Sequence, residues 1–307
     1  YGNALGTGAP ENPANVYAFY DDFQDGNDTG WTKKGTFAVV NDGGNYIYRY
    51  TAGGPNWALS YVTLPGVSDL DYTAKIRAAA NTNWIGLAFR IQNTSNFLTF
   101  YESKDVGKFK YARIVADNHT VPFEPPATMT AGVWYRMRLQ AIGNTVRARI
   151  WQDGSTEPAT WTIATTDSTY QTETNIGATL YNHPTAADWD DVQVRRLVAV
   201  EPTVTISWGN APWWDAAWGY RLPLTVNNTS ASATLPIRYS AKFTLDTSAL
   251  IAAGEMLSSC GDLRVLTFDG ITSTPIDRVV SGCNTTQTEV WFAGLPEAKS
   301  RGYMPGR

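Results

Sequence analysis

Two pairs of adjacent aspartates, Asp21-Asp22 and Asp190-Asp191, are the first candidates for chemistry in this sequence. Asp21 and Asp190 alternate in phase with apolar neighbours, which directs both carboxylates toward a core, where an unpaired charge is costly. A hard cation with oxygen ligands relieves that cost, and Ca²⁺ is the expected ion. The alternative is that these aspartates cap strands or pair with Lys or Arg.

Candidates for catalysis are few. The sequence has two histidines, His119 and His183, and each is predicted to lie in a polar loop beside Thr or Pro. Glycoside hydrolysis needs two carboxylates across a cleft, and Glu102 has no second carboxylate at strand spacing. The sequence also lacks a Gly-x-Ser-x-Gly elbow, a phosphate loop and a dinucleotide fingerprint. We therefore predict that the protein is not an enzyme.

The two cysteines, Cys260 and Cys283, flank two strand-like stretches, 262–268 and 275–281, which the turn Asp269-Gly270 joins. A hairpin brings its two ends side by side, so this arrangement predicts a disulfide and with it an extracytoplasmic location. The alternative is a pair of separate buried thiols.

Asn-x-Ser/Thr sequons make N-glycosylation a hypothesis for a secreted protein, although the pattern is short and arises by chance in Thr-rich chains. The candidate asparagines are Asn27, Asn93, Asn118, Asn227, Asn228 and Asn284.

Aromatic residues are the candidate sugar-binding groups, because a ring can stack on the apolar face of a pyranose. Most tryptophans of a β-sandwich belong to its core, so each one is first expected to be structural. The candidates along the predicted jelly roll are Trp31, Trp57, Trp84, Trp151 and Trp189. The denser group Trp213, Trp214 and Trp218 is better interpreted as a lid over a second core.

Length and composition indicate an all-β protein of two domains. The chain has 307 residues, with 43% hydrophobic and 17% charged residues, 12 Trp, 16 Tyr and 26 Gly, a composition that favours strands over helices. The net charge of −4, without a basic stripe, excludes a nucleic-acid partner. No apolar run of about 18 residues is present, so we predict no membrane span.

Residues 16–197 are expected to form a run of strands separated by turn signals. Apolar and basic residues alternate in 133–139 and again in 146–150, so one face of each strand packs a core while the other meets solvent or a second layer. Many strands of this length predict a two-sheet sandwich.

The stretch 132–139 reads Gly-Val-Trp-Tyr-Arg-Met-Arg-Leu, and 143–151 reads Gly-Asn-Thr-Val-Arg-Ala-Arg-Ile-Trp. With Asp-Asp-Phe at 21–23 and Asp-Asp-Val-Gln-Val at 190–194, this resembles the concanavalin A-like (laminin G-like) jelly rolls over about residues 16–200. The resemblance implies a fold that hosts lectins, glycosidases and adhesion modules. It also implies adjacent first and last strands, where related sandwiches often carry a structural Ca²⁺.

The stretch 213–226, Trp-Trp-Asp-Ala-Ala-Trp-Gly-Tyr-Arg-Leu-Pro-Leu-Thr-Val, resembles the start of the bacterial and archaeal "domain of unknown function 2341" family. The family resemblance implies a β-sandwich with a short helix near 247–256 and a final strand that ends in Tyr-Gly-Asn. Here the C-terminus reads Gly-Tyr-Met-Pro-Gly-Arg, while Tyr1-Gly2-Asn3 stands at the N-terminus. The family's order is thus rotated. Pro305 is a departure from the family pattern, because a proline would interrupt a long central strand and favours a sheet edge or a strand end.

This rotation leads to the main hypothesis, in which Tyr1, Gly2 and Asn3 of one subunit complete the sandwich of its neighbour. Such a contact is heterologous and builds a head-to-tail filament, since an exposed sheet edge is a template for an added strand. The tether that follows, Ala4 to Asn15, spans up to roughly 40 Å when extended, so the strand can equally fold back on its own chain. A third reading treats the chain as a processed product of a longer repeat, because it begins within a motif.

We therefore predict a secreted or cell-surface, non-enzymatic filament subunit that binds copies of itself. The predicted parts are a strand and tether at 1–15, a jelly roll at 16–200 and a smaller β-sandwich at 201–307. The alternative function is a secreted carbohydrate-binding or adhesion module.

Overall fold

The computed structural model describes residues 11–51, 54, 56–80, 84–103, 106–181, 185–206, 218–230, 234–268 and 271–293. Nearly all regular structure in these ranges is antiparallel strand. The helices are α1 (Pro13–Val16) and α2 (Thr247–Ala252), neither of them suited by length or apolarity to cross a membrane. The strands are β1 (Phe19–Asp21), β2 (Thr32–Lys34), β3 (Phe37–Asp42), β4 (Asn45–Tyr50), β5 (Trp57–Thr63), β6 (Leu70–Ala78), β7 (Trp84–Asn93), β8 (Asn96–Ser103), β9 (Lys108–Val115), β10 (Asn118–Phe123), β11 (Tyr135–Ile142), β12 (Thr145–Gln152), β13 (Ile163–Thr166), β14 (Asn175–Tyr181), β15 (Ala187–Arg196), β16 (Thr203–Ile206), β17 (Leu224–Asn227), β18 (Ala241–Leu245), β19 (Val265–Phe268), β20 (Ser273–Ile276), β21 (Arg278–Ser281) and β22 (Thr288–Phe292).

The chain divides into two compact units. Phe19–Leu197 forms a jelly-roll unit, and the described residues up to Ala18 join those from Val198 onward in a second, split unit. The jelly-roll unit has one sheet in the order β13-β12-β11-β6-β15-β4-β3, with β1 also paired to β15, and another in the order β10-β9-β8-β7-β14-β5-β2. The predicted all-β class, with a jelly roll as its larger part, is confirmed.

Hydrogen bonds across the core hold the two sheets of the jelly-roll unit together. Tyr72 Oη donates to the carbonyl of Gly177 at 3.1 Å, and Trp189 Nε1 donates to that of Gly86 at 3.1 Å. Both glycines are required, since a Cβ at either position would overlap the backbone of the neighbouring strand. The faces that these bonds connect are the inner faces of the two sheets.

Strand β15 contains a bulge that sequence alternation does not reveal. Its register against β6 shifts between Asp190 and Gln193, and Asp191 has a φ of 49°. The extra residue puts Asp190 opposite Lys75 on the outer face, while Val192 faces the core. The expectation that Asp190 shares the inward phase of the valines after it is wrong for this reason.

Charge pairs cover the outer face of the eight-stranded sheet. Asp71 is buried, and Arg138 and Arg195 both bind its carboxylate, with Gln140 as a further donor. Burial alone would raise the pKa of Asp71, but these donors lower it to about 2. The alternating basic residues seen in the sequence therefore meet paired carboxylates as much as solvent.

The split unit is built from three small sheets, β16-β17, β18-β22-β21 and β19-β20, around a separate apolar core. The predicted short helix is α2, which Asp246 caps by accepting a hydrogen bond from the Ala249 N–H. Cys260 and Cys283 form the predicted disulfide. The hairpin beside it is β19-β20, and β21 pairs with β22 in another sheet. The turn residues Asp269-Gly270 lie outside the described residues.

Residues 11–18 pack onto the split unit of their own chain. Asn12 caps α1 through the Ala14 N–H, and Pro13 occupies the first turn. The tether predicted at 1–15 therefore contains one helical turn, and the first strand begins at Phe19 rather than at Val16. Residues Tyr1, Gly2 and Asn3 lie outside the described residues.

Candidate functional site

The outer face of the seven-stranded sheet carries a cluster of aromatic side chains, here called the aromatic face. Alternation along each strand puts every second side chain on this face, and the register places Tyr181 of β14 between Trp57 of β5 and Trp84 of β7. The members of the aromatic face are Trp57, Tyr61, Trp84, Tyr101, His119 and Tyr181, and on the same face the buried Phe97 packs edge-on against Trp57.

The rings of neighbouring strands stand side by side. Ring centroids are 4.7 Å apart between Trp57 and Tyr181, 4.8 Å between Tyr181 and Trp84, and 5.6 Å between Trp84 and Tyr101. The spacing follows from the distance between adjacent strands, about 4.8 Å. Aromatic pairs at these distances stabilise one another, so the rings form a fixed surface.

Accessibility differs among the members of the aromatic face. Trp57 and Tyr101 are buried, Tyr61, Trp84 and Tyr181 are half-buried, and His119 is exposed. His119 lies on edge strand β10 rather than in a loop, and its ring centroid is 5.5 Å from that of Tyr181. Three half-buried rings and one exposed imidazole therefore remain open to a ligand.

Polar groups accompany the rings. The indole Nε1 of Trp57, whose side chain is 1% exposed, has no hydrogen-bond acceptor among the described residues. The Lys110 ammonium lies 4.8 Å from the centre of the Trp84 ring and 3.6 Å from a carboxylate oxygen of Glu124. Apolar ring surface, an indole donor and a cation are the groups with which proteins bind polyhydroxylated rings.

The strands that carry the aromatic face hold no pair of carboxylates. Strands β5, β7, β8, β9 and β14 contain one, Glu102. It is fully buried on the inner face, where it accepts a hydrogen bond from the Met129 N–H at 3.4 Å. These strands therefore hold no pair of carboxylates of the kind that glycoside hydrolysis uses.

The four aspartates predicted to bind Ca²⁺ take separate partners. Asp21 accepts from Trp31 Nε1 at 2.8 Å, Asp22 from Tyr20 Oη at 3.2 Å, and Asp191 pairs with Lys75 at 2.8 Å. Within the described ranges, no group of three or more His, Cys, Asp or Glu side chains is placed to hold a metal ion. The four do not converge on one point, and Ca²⁺ stays a prediction.

Asp190 is the least compensated of these aspartates. It is 4% exposed and accepts hydrogen bonds from Asn45 Nδ2 at 3.1 Å and from the Asp191 N–H at 2.8 Å. Burial, and then the neighbouring charge of Asp191, raise the pKa of Asp190 to about 6. Burial also raises the pKa of Asp21.

The sequon asparagines lie at strand ends and in turns. Asn27, Asn93, Asn118, Asn227 and Asn284 are exposed, and Asn228 is half-buried. Their positions are compatible with N-glycosylation, which stays a prediction.

The comparisons with known proteins are as follows. No protein-family model matches the chain, and no curated protein matches it. Among solved structures, carbohydrate binding module CBM66 from Bacillus subtilis is 16% identical with a TM-score of 0.45, covering 54% of this chain and 95% of that one. Bacillus licheniformis β-glucanase is 14% identical with a TM-score of 0.43, covering 57% and 96%. The xylan β-1,4-xylosidase from Bacillus halodurans C-125 is 12% identical with a TM-score of 0.45, covering 57% of this chain but 38% of its own.

Sequence reasoning identified only part of the aromatic face. Trp57 and Trp84 were candidates, while Trp31 and Trp189 are core residues that donate to Asp21 and to the Gly86 carbonyl. Tyr61, Tyr101, Tyr181 and Lys110 were missed, although the alternation Trp-x-Leu-x-Tyr in β5 was a usable signal. His183, Trp213 and Trp214 lie outside the described residues.

Proposed function

We propose that this protein is a non-enzymatic carbohydrate-binding protein whose ligand lies on the aromatic face. The observation that carries the proposal is the set of half-buried rings beside the buried Trp57 indole N–H, which has no acceptor among the residues that the structure describes. A single apolar residue on a protein surface is ordinary. Here several rings form one rigid group beside the Trp57 indole N–H, and this geometry is suited to a sugar.

Binding would use each group differently. The half-buried rings of Trp84 and Tyr181 would contact the apolar C–H face of a pyranose, and His119 would close over its edge. A ligand hydroxyl that accepts a hydrogen bond from Trp57 Nε1 would relieve the cost of a buried, unpaired donor.

The direct test is saccharide binding by isothermal titration after a glycan-array screen. Trp84→Ala and His119→Ala should each weaken binding about tenfold, because truncating an aromatic anchor commonly costs that much. Trp151→Ala is the matched control, since Trp151 is also half-buried but lies on β12 in the other sheet.

His119→Ala removes an exposed side chain, so its result is independent of any folding defect in the Trp84 variant. Equal losses in Trp84→Ala and Trp151→Ala, or no saccharide bound by the native protein, would refute the proposal.

The remaining features of the proposal concern location and assembly. The disulfide supports a secreted or cell-surface protein, in which the exposed sequons would be glycosylated. Kinship of the split unit with the "domain of unknown function 2341" family in rotated order, and self-assembly by strand donation from Tyr1, Gly2 and Asn3, stay hypotheses.

A further inference from the structure

We propose that Lys110 makes the aromatic face selective for glycans with an anionic group, either a uronate carboxylate or a sulfate. This inference rests on the proposed function. It deepens that function by assigning the charge of the ligand.

The charge of the strands that carry the aromatic face is the first argument. Lys108 and Lys110 of β9 lie on the same face as the rings, because Lys108 pairs with Ser103, which pairs with Trp84. The one carboxylate of these strands, Glu102, lies on the inner face. The strands therefore give the aromatic face a positive field that attracts an anion.

The placement of Lys110 is the second argument. Its side chain is only 11% exposed, and its ammonium is fixed above the Trp84 ring. A lysine that is already ordered loses little further rotamer entropy when a ligand arrives. An anionic substituent of a sugar stacked near Trp84 would meet this ammonium directly and gain a charge-assisted hydrogen bond.

The position of Glu124 is the third argument, because its carboxylate lies where the anionic group of a ligand would bind Lys110. Its side chain is 57% exposed and its oxygen lies 3.6 Å from Lys110 Nζ. A separation of that length between a solvated carboxylate and its cation contributes little stability. A ligand anion can therefore displace Glu124 at low cost, and removing the charge of Glu124 should favour the ligand.

The test uses the intact protein and immobilised saccharides in matched pairs: polygalacturonate with its methyl ester, and dextran sulfate with dextran. The native protein should prefer the acidic member of at least one pair about tenfold. The pair that shows the preference distinguishes a carboxylate from a sulfate. Lys110→Met should abolish that preference, whereas Glu124→Gln should strengthen acidic binding severalfold, and added NaCl should weaken it.

The controls are Lys33→Met and Asp28→Asn, which disrupt a surface ion pair between the turn after β1 and β2. They should leave the preference unchanged. A native protein that binds neutral and acidic members equally, or an acidic preference that survives Lys110→Met, overturns the inference. Neutral binding that Trp84→Ala abolishes would keep the proposed function while refuting this inference, and binding to no saccharide would refute both.

Discussion

At the scale of single residues, the environment of a side chain depends on irregularities that its neighbours in sequence do not announce. Asp190 illustrates this, because the bulge at Asp191 turns it to the outer face and still leaves it 4% exposed. A carboxylate buried beside a second carboxylate resists ionisation.

Asp190→Asn should therefore stabilise the protein at neutral pH. The pKa of Asp190 is raised to about 6 in the folded protein, so the folded state binds the proton more tightly than the unfolded state does. The protonated Asp190 carboxyl group therefore stabilises the folded protein. This stabilisation is fully present below the unfolded pKa of about 4, and it is lost as the pH rises to about 6. Urea unfolding should show a gain of roughly 1–3 kcal/mol for the variant at pH 7.5 and almost none at pH 4.

Asp191→Asn is the companion variant. It removes the neighbouring charge that raises the pKa of Asp190, so that pKa should fall toward its usual range, and it also removes the ion pair with Lys75 at 2.8 Å. If the Asp190→Asn variant were less stable than the native protein at both pH values, the raised pKa of Asp190 would be contradicted.

Bound Ca²⁺ would turn the expected gain in stability of Asp190→Asn into a loss, because a cation beside Asp190 favours the ionised carboxylate. If the predicted site exists, a chelator should lower the melting temperature of the native protein, and Asp190→Asn should lose most of that response. No shift on chelation, together with no metal by elemental analysis, would refute the calcium prediction.

At the scale of elements, alternation predicted which stretches are strands but not which strands are neighbours. The hairpin through Gly43-Gly44 and the basic alternation of β11 and β12 could be read locally. The insertion of β14 between β5 and β7 joins residues about a hundred positions apart, and this pairing alone brings Tyr181 to Trp57 and Trp84. The aromatic face could not be predicted in full because it depends on that non-local register.

The docking of residues 11–18 gives a prediction at the same scale. Ser240 Oγ donates to the buried carbonyl of Val16 at 2.6 Å, and Glu11 pairs with Arg278, which is 2% exposed, at 3.1 Å. Ser240→Ala and Glu11→Gln should each cost roughly 1–3 kcal/mol, since each leaves a buried polar group or charge without its partner.

Urea unfolding measures the cost, and limited proteolysis should cut the N-terminal segment faster in both variants. Ser281→Ala, at an exposed serine of β21, is the matched control. If both variants were cut at the native rate, the contacts of Ser240 and Glu11 would not be what holds residues 11–18 in place.

At the scale of the whole molecule, Phe19–Leu197 is inserted between the two parts of the split unit. Phe19 pairs with Val194, so the jelly-roll unit begins and ends at neighbouring points of one sheet. A domain with adjacent ends can be inserted into another without disturbing its fold. The inserted position is compatible with the rotated order that the sequence resemblance implies.

Removal of residues 1–10 distinguishes the two functions predicted from the sequence. The filament hypothesis expects native material to form filaments in electron micrographs and the truncated chain to form none. The carbohydrate-binding proposal expects the truncated chain to bind saccharide with unchanged affinity, because the aromatic face belongs to the jelly-roll unit. Loss of saccharide binding on truncation would argue against an independent site.

The most direct test of the carbohydrate site is a ¹H–¹⁵N spectrum of the tryptophan indoles, recorded with and without a bound saccharide. We predict that the Trp57 and Trp84 signals shift, with Trp57 moving as its N–H gains an acceptor. The signals of Trp31 and Trp189, already bonded to Asp21 and to the Gly86 carbonyl, should stay in place. Shifts confined to other indoles, with Trp57 and Trp84 unmoved at saturation, would contradict the assignment of the aromatic face.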